Sequence, residues 1–77
     1  MKYIQFREHG CGFDSVIVFP EWTPHDTFRN LNVISAGFCM IHHDTREVTV
    51  YGGSVSLKLK SDPSATGLIK KLIFKEI

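Results

Sequence analysis

The stretch VISAGFCMIHHDTREVTVY, residues 33–51, predicts two antiparallel strands joined by a short turn. The first strand belongs to a long apolar run over residues 32–42, and the polar residues 43–46 are typical of a turn. In residues 47–51, Val48 and Val50 alternate with more polar positions, as in a strand with one buried face. A strand as apolar as 32–42 is either central in a sheet covered on both faces or half covered by a second copy of the chain.

Two further strands are predicted N-terminal to this hairpin. Residues 2–7 alternate, with Ile4 and Phe6 on one side, which indicates a half-buried strand. Residues 13–19 (FDSVIVF) are rich in β-branched and aromatic side chains. Because the glycines of residues 10–12 (GCG) tolerate a turn conformation, the two strands are expected to form a second hairpin.

Two helices and a fifth strand complete the prediction. Residues 23–30 begin with Thr-Pro-His-Asp, which favours the start of a helix of about two turns. Residues 54–60 alternate as a fifth strand, and residues 61–63 (SDP) begin the last helix. Apolar side chains share one face of that helix at helical spacing: Ala65, Leu68, Ile69, Leu72 and Ile73.

The order β-β-α-β-β-β-α predicts an α+β fold. We expect a mostly antiparallel sheet of about five strands, with a short helix and a C-terminal helix packed on one face. With 77 residues, the chain is expected to form a single domain, residues 1–77, with a small core. A second subunit would enlarge that core, so the sequence predicts a homo-oligomer.

Composition indicates an ordinary soluble domain. Apolar residues make up 43% of the chain and charged residues 22%, which argues against disorder. No apolar run approaches the roughly 20 residues of a membrane span, and the N-terminus lacks the uncharged segment of a secretory signal. We therefore expect a cytoplasmic protein without membrane contact. Cys11 and Cys39 are expected to be reduced thiols, and a disulfide between them stays an open alternative.

The distribution of charge draws attention to the C-terminal third. The formal net charge of +1 is too small to indicate nucleic-acid binding. Residues 54–77, however, contain five lysines against Asp62 and Glu76, so this segment has a net charge of +3. The ordinary interpretation of such a surface is that it only keeps the protein soluble.

The predicted fifth strand places a row of polar side chains in this positive segment. Its outward row consists of Ser54, Ser56, Lys58 and Lys60. Two hydroxyl groups and two ammonium groups, followed by a helix N-terminus, are suited to bind phosphate. Further side chains that donate to phosphate or stack on a base are Arg29, Arg46, Tyr3, Tyr51 and Trp22. The alternative, preferred for Lys60, is that the row only prevents pairing of an exposed sheet edge.

Catalysis and metal binding are not expected. His42 and His43 are neighbours on a strand, so they point to opposite faces and cannot hold one ion together. A nucleophile elbow has a glycine two residues after its serine, but Ser54 of the segment GGS (52–54) is followed there by Ser56. Cys39 lies in an apolar strand, where its thiol would be inert. The sequence therefore predicts a non-enzymatic protein without a metal or cofactor.

Three segments carry a resemblance to known sequences: VISAGF (33–38), YGGSVSLKLKSDP (51–63) and the pair Leu68-Ile69. Over about residues 16–73, the chain resembles a group of small uncharacterised phage and prophage proteins. It departs from them at Gly53, where members often carry an acidic residue, and at Asp62, where they carry arginine. The resemblance implies a viral or prophage origin. It further implies a role against host defence, as small phage proteins often have, either by binding a host protein or by sequestering a nucleotide signal between subunits.

Two classes of function follow from these patterns. The first hypothesis is a homo-oligomeric binding module that sequesters an anionic small molecule, such as a nucleotide immune signal. The residues assigned to this ligand are Ser54, Ser56, Lys58 and Arg46 for phosphate, and Tyr51 or Trp22 for a base. The alternatives are a protein-interaction module that inhibits a host factor through an exposed strand or the apolar surface around Phe38 and Met40, and a small virion or assembly component.

Overall fold

The computed structural model describes residues 1–8, 10 and 12–75, which form an α+β fold. The elements in chain order are β1 Lys2–Arg7, β2 Asp14–Phe19, a 3-10 helix His25–Phe28, β3 Val33–His42, β4 Glu47–Tyr51, β5 Gly53–Ser54, β6 Leu59–Lys60 and α1 Ser64–Phe74. Strands β1 to β4 form an antiparallel sheet in the order β2-β1-β3-β4, and β5 pairs only with β6. The α+β class is confirmed, whereas the predicted single sheet of about five strands is wrong.

Strand β1 lies in the middle of the main sheet and is covered on both faces. It pairs with β2 on one side and with β3 on the other. Tyr3 and Ile4 point to opposite faces, yet both are 0% exposed. The alternation in residues 2–7 predicted only one buried face, because it shows which side chains share a face but not what covers each face.

The two predicted hairpins are confirmed. β1 and β2 pair antiparallel over their full length, and β3 pairs with β4 after a turn over residues 43–46. Strand β3 lies between β1 and β4, and other elements of the same chain cover both of its faces around Ala36 and Cys39. Met40, which is 52% exposed, is an exception. The apolar run 32–42 is therefore explained largely within one chain.

One face of the sheet, here called the helix face, is covered by α1. Its buried core consists of Tyr3, Cys39, Val48, Ala65 and Ile69. The predicted C-terminal helix is present but begins at Ser64, just after the predicted start over residues 61–63; Pro63, with a φ of −55°, is its N-cap, and Asp62 Oδ1 accepts a hydrogen bond from the N–H of Ser64 at 2.9 Å. Burial of Ile69 alone is worth about 2–3 kcal/mol of hydrophobic stabilisation.

A buried polar cluster joins the start of α1 to the helix face. The Tyr3 hydroxyl accepts a hydrogen bond from the N–H of Asp62 at 3.1 Å and lies 3.3 Å from Ser35 Oγ. Ser35 Oγ donates to Gln5 Oε1 at 2.7 Å, and Gln5 Nε2 donates to Ser64 Oγ at 3.3 Å. Since every described buried side-chain polar atom has a partner, the cluster aligns the helix without leaving an unsatisfied group.

The opposite face, here called the loop face, is covered by short irregular segments. Its buried core is formed by Ile4, Phe19 and Ala36, and partly buried side chains pack on them from several elements: Phe6, Ile17, Phe28, Val33, Leu57 and Leu59. The prediction that both helices pack on one face is therefore wrong. The 3-10 helix belongs to the loop face and α1 to the helix face.

The helix predicted over residues 23–30 is only the single turn His25–Phe28. Its hydrogen bonds connect residues three apart, as from the N–H of Thr27 to Pro24 O at 3.2 Å. A segment this short is too small to be stable by itself. It is held by His25, which is 5% exposed and has its ring Nε2 2.9 Å from Gly37 O.

The predicted fifth strand, residues 54–60, is wrong. The chain forms the two-residue strands β5 and β6 with a turn over residues 55–58 between them. Ser54 Oγ accepts a hydrogen bond from the N–H of Leu57 at 3.3 Å, and Lys58 has a left-handed backbone with a φ of 56°. These local interactions reverse the chain, so Val55 is 96% exposed instead of inward.

Among the helices of the described residues, none is both long and apolar enough to cross a membrane.

Candidate anion-binding site

The β5–β6 hairpin contains an open depression of about 310 Å³. The residues that line it are Gly53, Ser54, Val55, Lys58, Leu59 and Lys60. The straight row of four polar side chains predicted for this segment is not formed, because the chain reverses between Ser54 and Leu59. The turn nevertheless brings Ser54, Lys58 and Lys60 to one concave surface.

Gly53 makes this tight hairpin possible. A Cβ atom at this position would lie 2.6 Å from the carbonyl oxygen of Leu59, a distance that real Cβ atoms do not adopt. Gly53 pairs with Lys60 in the two-strand ladder. Any larger residue would therefore separate β5 from β6. The requirement for close approach to Leu59 is visible only in the structure.

Ser54 and Ser56 supply adjacent hydroxyl groups. Ser54 is 5% exposed, and its Oγ accepts a hydrogen bond from the N–H of Leu57. The prediction that Ser54 lies in an outward row is therefore wrong. Ser54 Oγ is 3.3 Å from Ser56 Oγ, and either hydroxyl is able to donate in that pair. Ser56 is exposed. Ser54 belongs to the lining of the depression, and Ser56 lies beside it on the exposed turn.

Lys58 and Lys60 provide the positive charge of the depression. Both side chains are exposed, and neither forms an ion pair with a carboxylate of the described chain. Lys70 on α1 differs, because its Nζ lies 3.7 Å from Glu47 Oε1. Lys60 was interpreted from the sequence as an edge-blunting residue. The structure places it in the lining of the depression together with Lys58.

Tyr51 lies next to the hairpin in the chain, two residues before Gly53. Its ring is stacked on Phe38 with centroids 5.6 Å apart and an interplanar angle of 20°, and the residue is 46% exposed. One face of the ring is therefore supported by Phe38. The exposed part is available to stack on a planar ligand.

Arg46 and Trp22 are not brought to the hairpin in the same way. Arg46 precedes β4 and Tyr51 ends it, which separates them by roughly 16 Å along an extended strand. The Arg46 guanidinium lies 5.3 Å from the centroid of the Phe74 ring and donates to Phe74 O at 3.3 Å. Trp22 is 85% exposed in the loop after β2, and in the described chain no hydrogen bond or ring contact joins it to the hairpin.

The structure also places the histidine, cysteine and acidic side chains of the described residues. Within residues 1–8, 10 and 12–75, no group of three or more His, Cys, Asp or Glu side chains is placed to hold a metal ion. Cys39 is buried, and burial raises the pKa of its thiol. Cys11, to which the disulfide alternative applies, lies outside the described residues.

No family model, curated protein or solved structure matches this chain. The candidate site is consequently defined by the chain's own geometry: a glycine-dependent hairpin, two lysines without an ion-pair partner in the described chain, a pair of serines and an adjacent tyrosine.

Proposed function

We propose that the protein is a non-enzymatic binding module that holds a phosphate-bearing small molecule at the β5–β6 hairpin. The observation that carries this proposal is the depression beside Lys58 and Lys60, which have no ion-pair partner in the described chain. A phosphate there would accept charge-assisted hydrogen bonds from both ammonium groups. The volume of about 310 Å³ is at the lower end of the range for small-molecule sites.

The polar side chains in the lining are those of Ser54, Lys58 and Lys60, and they suit an anion more closely than a chemical reaction. Ser54 supplies a hydroxyl in that lining, and Ser56 Oγ lies 3.3 Å from the Ser54 hydroxyl. No carboxylate, imidazole or thiol is present among the described lining residues, so the depression has no group suited to proton transfer near neutral pH. Binding without turnover is the function that this set of side chains supports.

A nucleotide is the proposed class of ligand. Tyr51 precedes the hairpin with part of its ring exposed, so a base attached to the bound phosphate has an aromatic surface close to the site along the chain. The resemblance to phage proteins directs the choice toward signalling nucleotides of host defence. Sequestration of such a signal requires only binding, and the amount of signal removed from solution would rise with the concentration of the protein.

Calorimetric titration tests this proposal. The ligands are inorganic phosphate, pyrophosphate, linear mononucleotides, and cyclic mono- and dinucleotides. Lys58→Gly removes one ammonium group while suiting the left-handed backbone of that residue, so its effect on binding is not confused with unfolding. We expect about a tenfold loss of affinity, the size of one charge-assisted hydrogen bond.

Two matched variants complete the experiment. Lys71→Ala removes an exposed lysine from α1 and should leave binding unchanged. Tyr51→Ala should lower the affinity for nucleotides and leave the affinity for pyrophosphate unchanged, because only nucleotides carry a base. Absence of binding by every ligand in the panel would refute the proposal. An equal loss in Lys58→Gly and Lys71→Ala would also refute it, since that result describes general attraction between charges.

A second candidate function is a docking surface for a host protein on the loop face. Met40 is 52% exposed and Tyr51 46%, and both point to this face of the β3–β4 hairpin. Affinity purification from a bacterial host, with Met40→Asp as the comparison, examines this candidate. A partner that is lost with Met40→Asp but retained with Lys58→Gly favours docking over ligand binding.

A further inference from the structure

Strand β2 is an open edge of the main sheet, and its hydrogen-bonding pattern follows from its neighbour. The N–H of Glu8 bonds to Phe13 O at 3.2 Å, which makes residues 8 and 13 a hydrogen-bonded pair. Such pairs alternate along an antiparallel ladder, so Ser15, Ile17 and Phe19 exchange hydrogen bonds with β1. The pattern across β1 agrees, because Met1 O accepts from the N–H of Cys39 and places the odd residues of β1 toward β3.

The outward backbone groups of β2 therefore belong to Asp14, Val16 and Val18. In the described chain, no backbone group bonds to their outward N–H and C=O groups. The side chains from Ser15 to Phe19 carry no charge, and this segment contains no proline. Charged side chains and proline are the features with which natural sheets commonly block edge pairing, and residues 15–19 have neither. The opposite edge, β4, carries the charged Glu47, which pairs with Lys70 of α1; α1 contacts both edge strands.

We infer that β2 pairs antiparallel with β2 of a second copy of this chain, which joins the two sheets into one of eight strands. The strand is complementary to itself about Val16: on a twofold axis there, Val16 meets Val16 and Asp14 meets Val18 of the second copy. All three outward residues then form hydrogen-bonded pairs, with about six bonds in total. A second copy is therefore an occupant that satisfies this edge completely.

Charge and exposed apolar surface agree with this occupant. The carboxylate of Asp14 is bound by Arg7 Nε at 2.8 Å and by Gln5 Nε2 at 3.2 Å, and the twofold axis places it away from its own copy. No like charges meet across the axis. Phe13 is 72% exposed, and in the same register it lies opposite Phe19 of the second copy, where its ring would be covered. This inference does not depend on the ligand site, which lies on the hairpin that contacts β3.

The first test is the mass of the native protein over a range of concentrations, combined with amide hydrogen exchange by NMR. We expect a dimer in which the amides of Val16 and Val18 become protected as the concentration rises, while those of Ser15 and Ile17 are protected throughout. A monomer at about 1 mM would overturn the inference. A dimer in which Val16 and Val18 exchange without protection would overturn it as well, because another surface would then form the interface.

Variants separate the backbone contribution from side-chain packing. Val16→Pro removes an outward N–H and no hydrogen bond within the chain, so it should give a folded monomer. Val16→Ala shortens the same side chain but retains the N–H and should still dimerise. Phe13→Asp, at an exposed position before β2, should raise the dimer dissociation constant about tenfold without affecting the fold. Dimerisation of Val16→Pro and Phe13→Asp with the dissociation constant of the wild type would contradict the inference. If Val16→Pro does not fold, an unchanged dissociation constant for Phe13→Asp alone would contradict it.

Discussion

The two faces of the main sheet are covered by different kinds of structure. On the helix face, one regular helix packs Ala65 and Ile69 against the strands, and a polar cluster connects its start to Tyr3. On the loop face, a single 3-10 turn and the β5–β6 hairpin do the covering. Both faces have fully buried residues, and the hairpin on the loop face also carries the depression lined by Lys58 and Lys60.

The difference indicates that the helix face contributes most to the stability of this small chain, whereas the hairpin on the loop face supplies the candidate binding site. A helix that buries a continuous apolar stripe makes a large contribution with few special residues. A hairpin such as β5–β6 has little core of its own, so its shape depends on single residues such as Gly53 and Lys58. Their backbone conformations leave polar groups at the surface. We therefore expect large stability effects on the helix face and mainly binding effects at the hairpin.

The largest expected effect is that of Ile69→Ala on the helix face. Ile69 is 0% exposed, so the cavity should cost about 3 kcal/mol of unfolding free energy. The matched change on the loop face, Leu57→Ala, should cost about 1–2 kcal/mol, because Leu57 is only partly buried. Urea unfolding measures both. Leu72→Ala, at an exposed site of the same helix, is the control, and equal losses at Ile69 and Leu57 would contradict the contrast between the faces.

Tyr3→Phe should have the next largest effect. The hydroxyl accepts from the N–H of Asp62 and lies beside Ser35 Oγ, so its removal takes the partner from that N–H before α1 and breaks the link to Ser35. We expect a loss of about 2 kcal/mol in denaturant unfolding. Tyr51→Phe removes a hydroxyl from a partly exposed ring and should be nearly neutral. A neutral Tyr3→Phe would show that the polar cluster is not needed to hold the helix.

His25→Phe examines the corresponding anchor on the loop face. Gly37 O is able only to accept, so the ring Nε2 at 2.9 Å donates to it. Phenylalanine retains an aromatic ring between Phe19 and Phe38 but removes this hydrogen bond, while the carbonyl keeps its ladder bond from the N–H of Tyr3. We expect a loss of about 1–2 kcal/mol, measured by thermal and urea unfolding. His43→Phe, at an exposed turn position, serves as the control and should change stability little.

Lys58→Gly should stabilise the chain while weakening the proposed ligand site. The left-handed backbone of Lys58 is strained for any residue with a Cβ, so glycine should gain about 0.5–1 kcal/mol. Lys60→Gly removes the same charge from a strand position and should lose a similar amount. Unfolding of both variants in urea gives the comparison. Destabilisation by Lys58→Gly would show that its side chain, and not its backbone, supports the hairpin.

The smallest expected effect concerns pH. The hydrogen bond from Arg7 is the main cause of a lowered pKa for the Asp14 carboxyl. A folded-state pKa below the unfolded value means that the pair stabilises the fold above about pH 4 and that this contribution disappears as the pH falls through the folded pKa. Asp14→Asn should therefore flatten the acid side of the stability profile by a small amount, since the pair is at the surface. Melting temperatures of both proteins between about pH 2 and about pH 6 measure this difference, and identical profiles would show that the pair contributes nothing.

The sequence predicted the elements whose signal repeats along the chain. Alternation over several residues identified the β1–β2 and β3–β4 hairpins, and the apolar stripe from Ala65 onward identified α1. It did not predict which face each helix covers, because periodicity defines a buried side but not the element that buries it. It also failed for residues 54–60, where alternation was real but the hydrogen bond to Ser54 Oγ and the left-handed Lys58 bend the chain.

The candidate site was predicted in its residue types and not in its arrangement. Ser54, Ser56 and Lys58 were selected as members of a straight row, and they are instead neighbours in a folded-back turn. Lys60 was assigned to edge protection and lies in the lining. Arg46 was expected to join them, but β4 carries it to the far end of the strand. The turn is set by local contacts, namely the hydrogen bond from the N–H of Leu57 to Ser54 Oγ and the left-handed backbone of Lys58, which side-chain alternation does not report.

Local chemistry thus accounts for the class of fold, the two large hairpins and the C-terminal helix, because propensity and side-chain periodicity act over a few neighbouring residues. The assignment of the two faces, the concave shape of the β5–β6 hairpin and the open edge at β2 arise only when the chain is assembled. The physical reason is that coverage, concavity and unpaired backbone groups are properties of the space between elements. In 77 residues, a single packed helix on one face leaves the other face to whatever short segments remain.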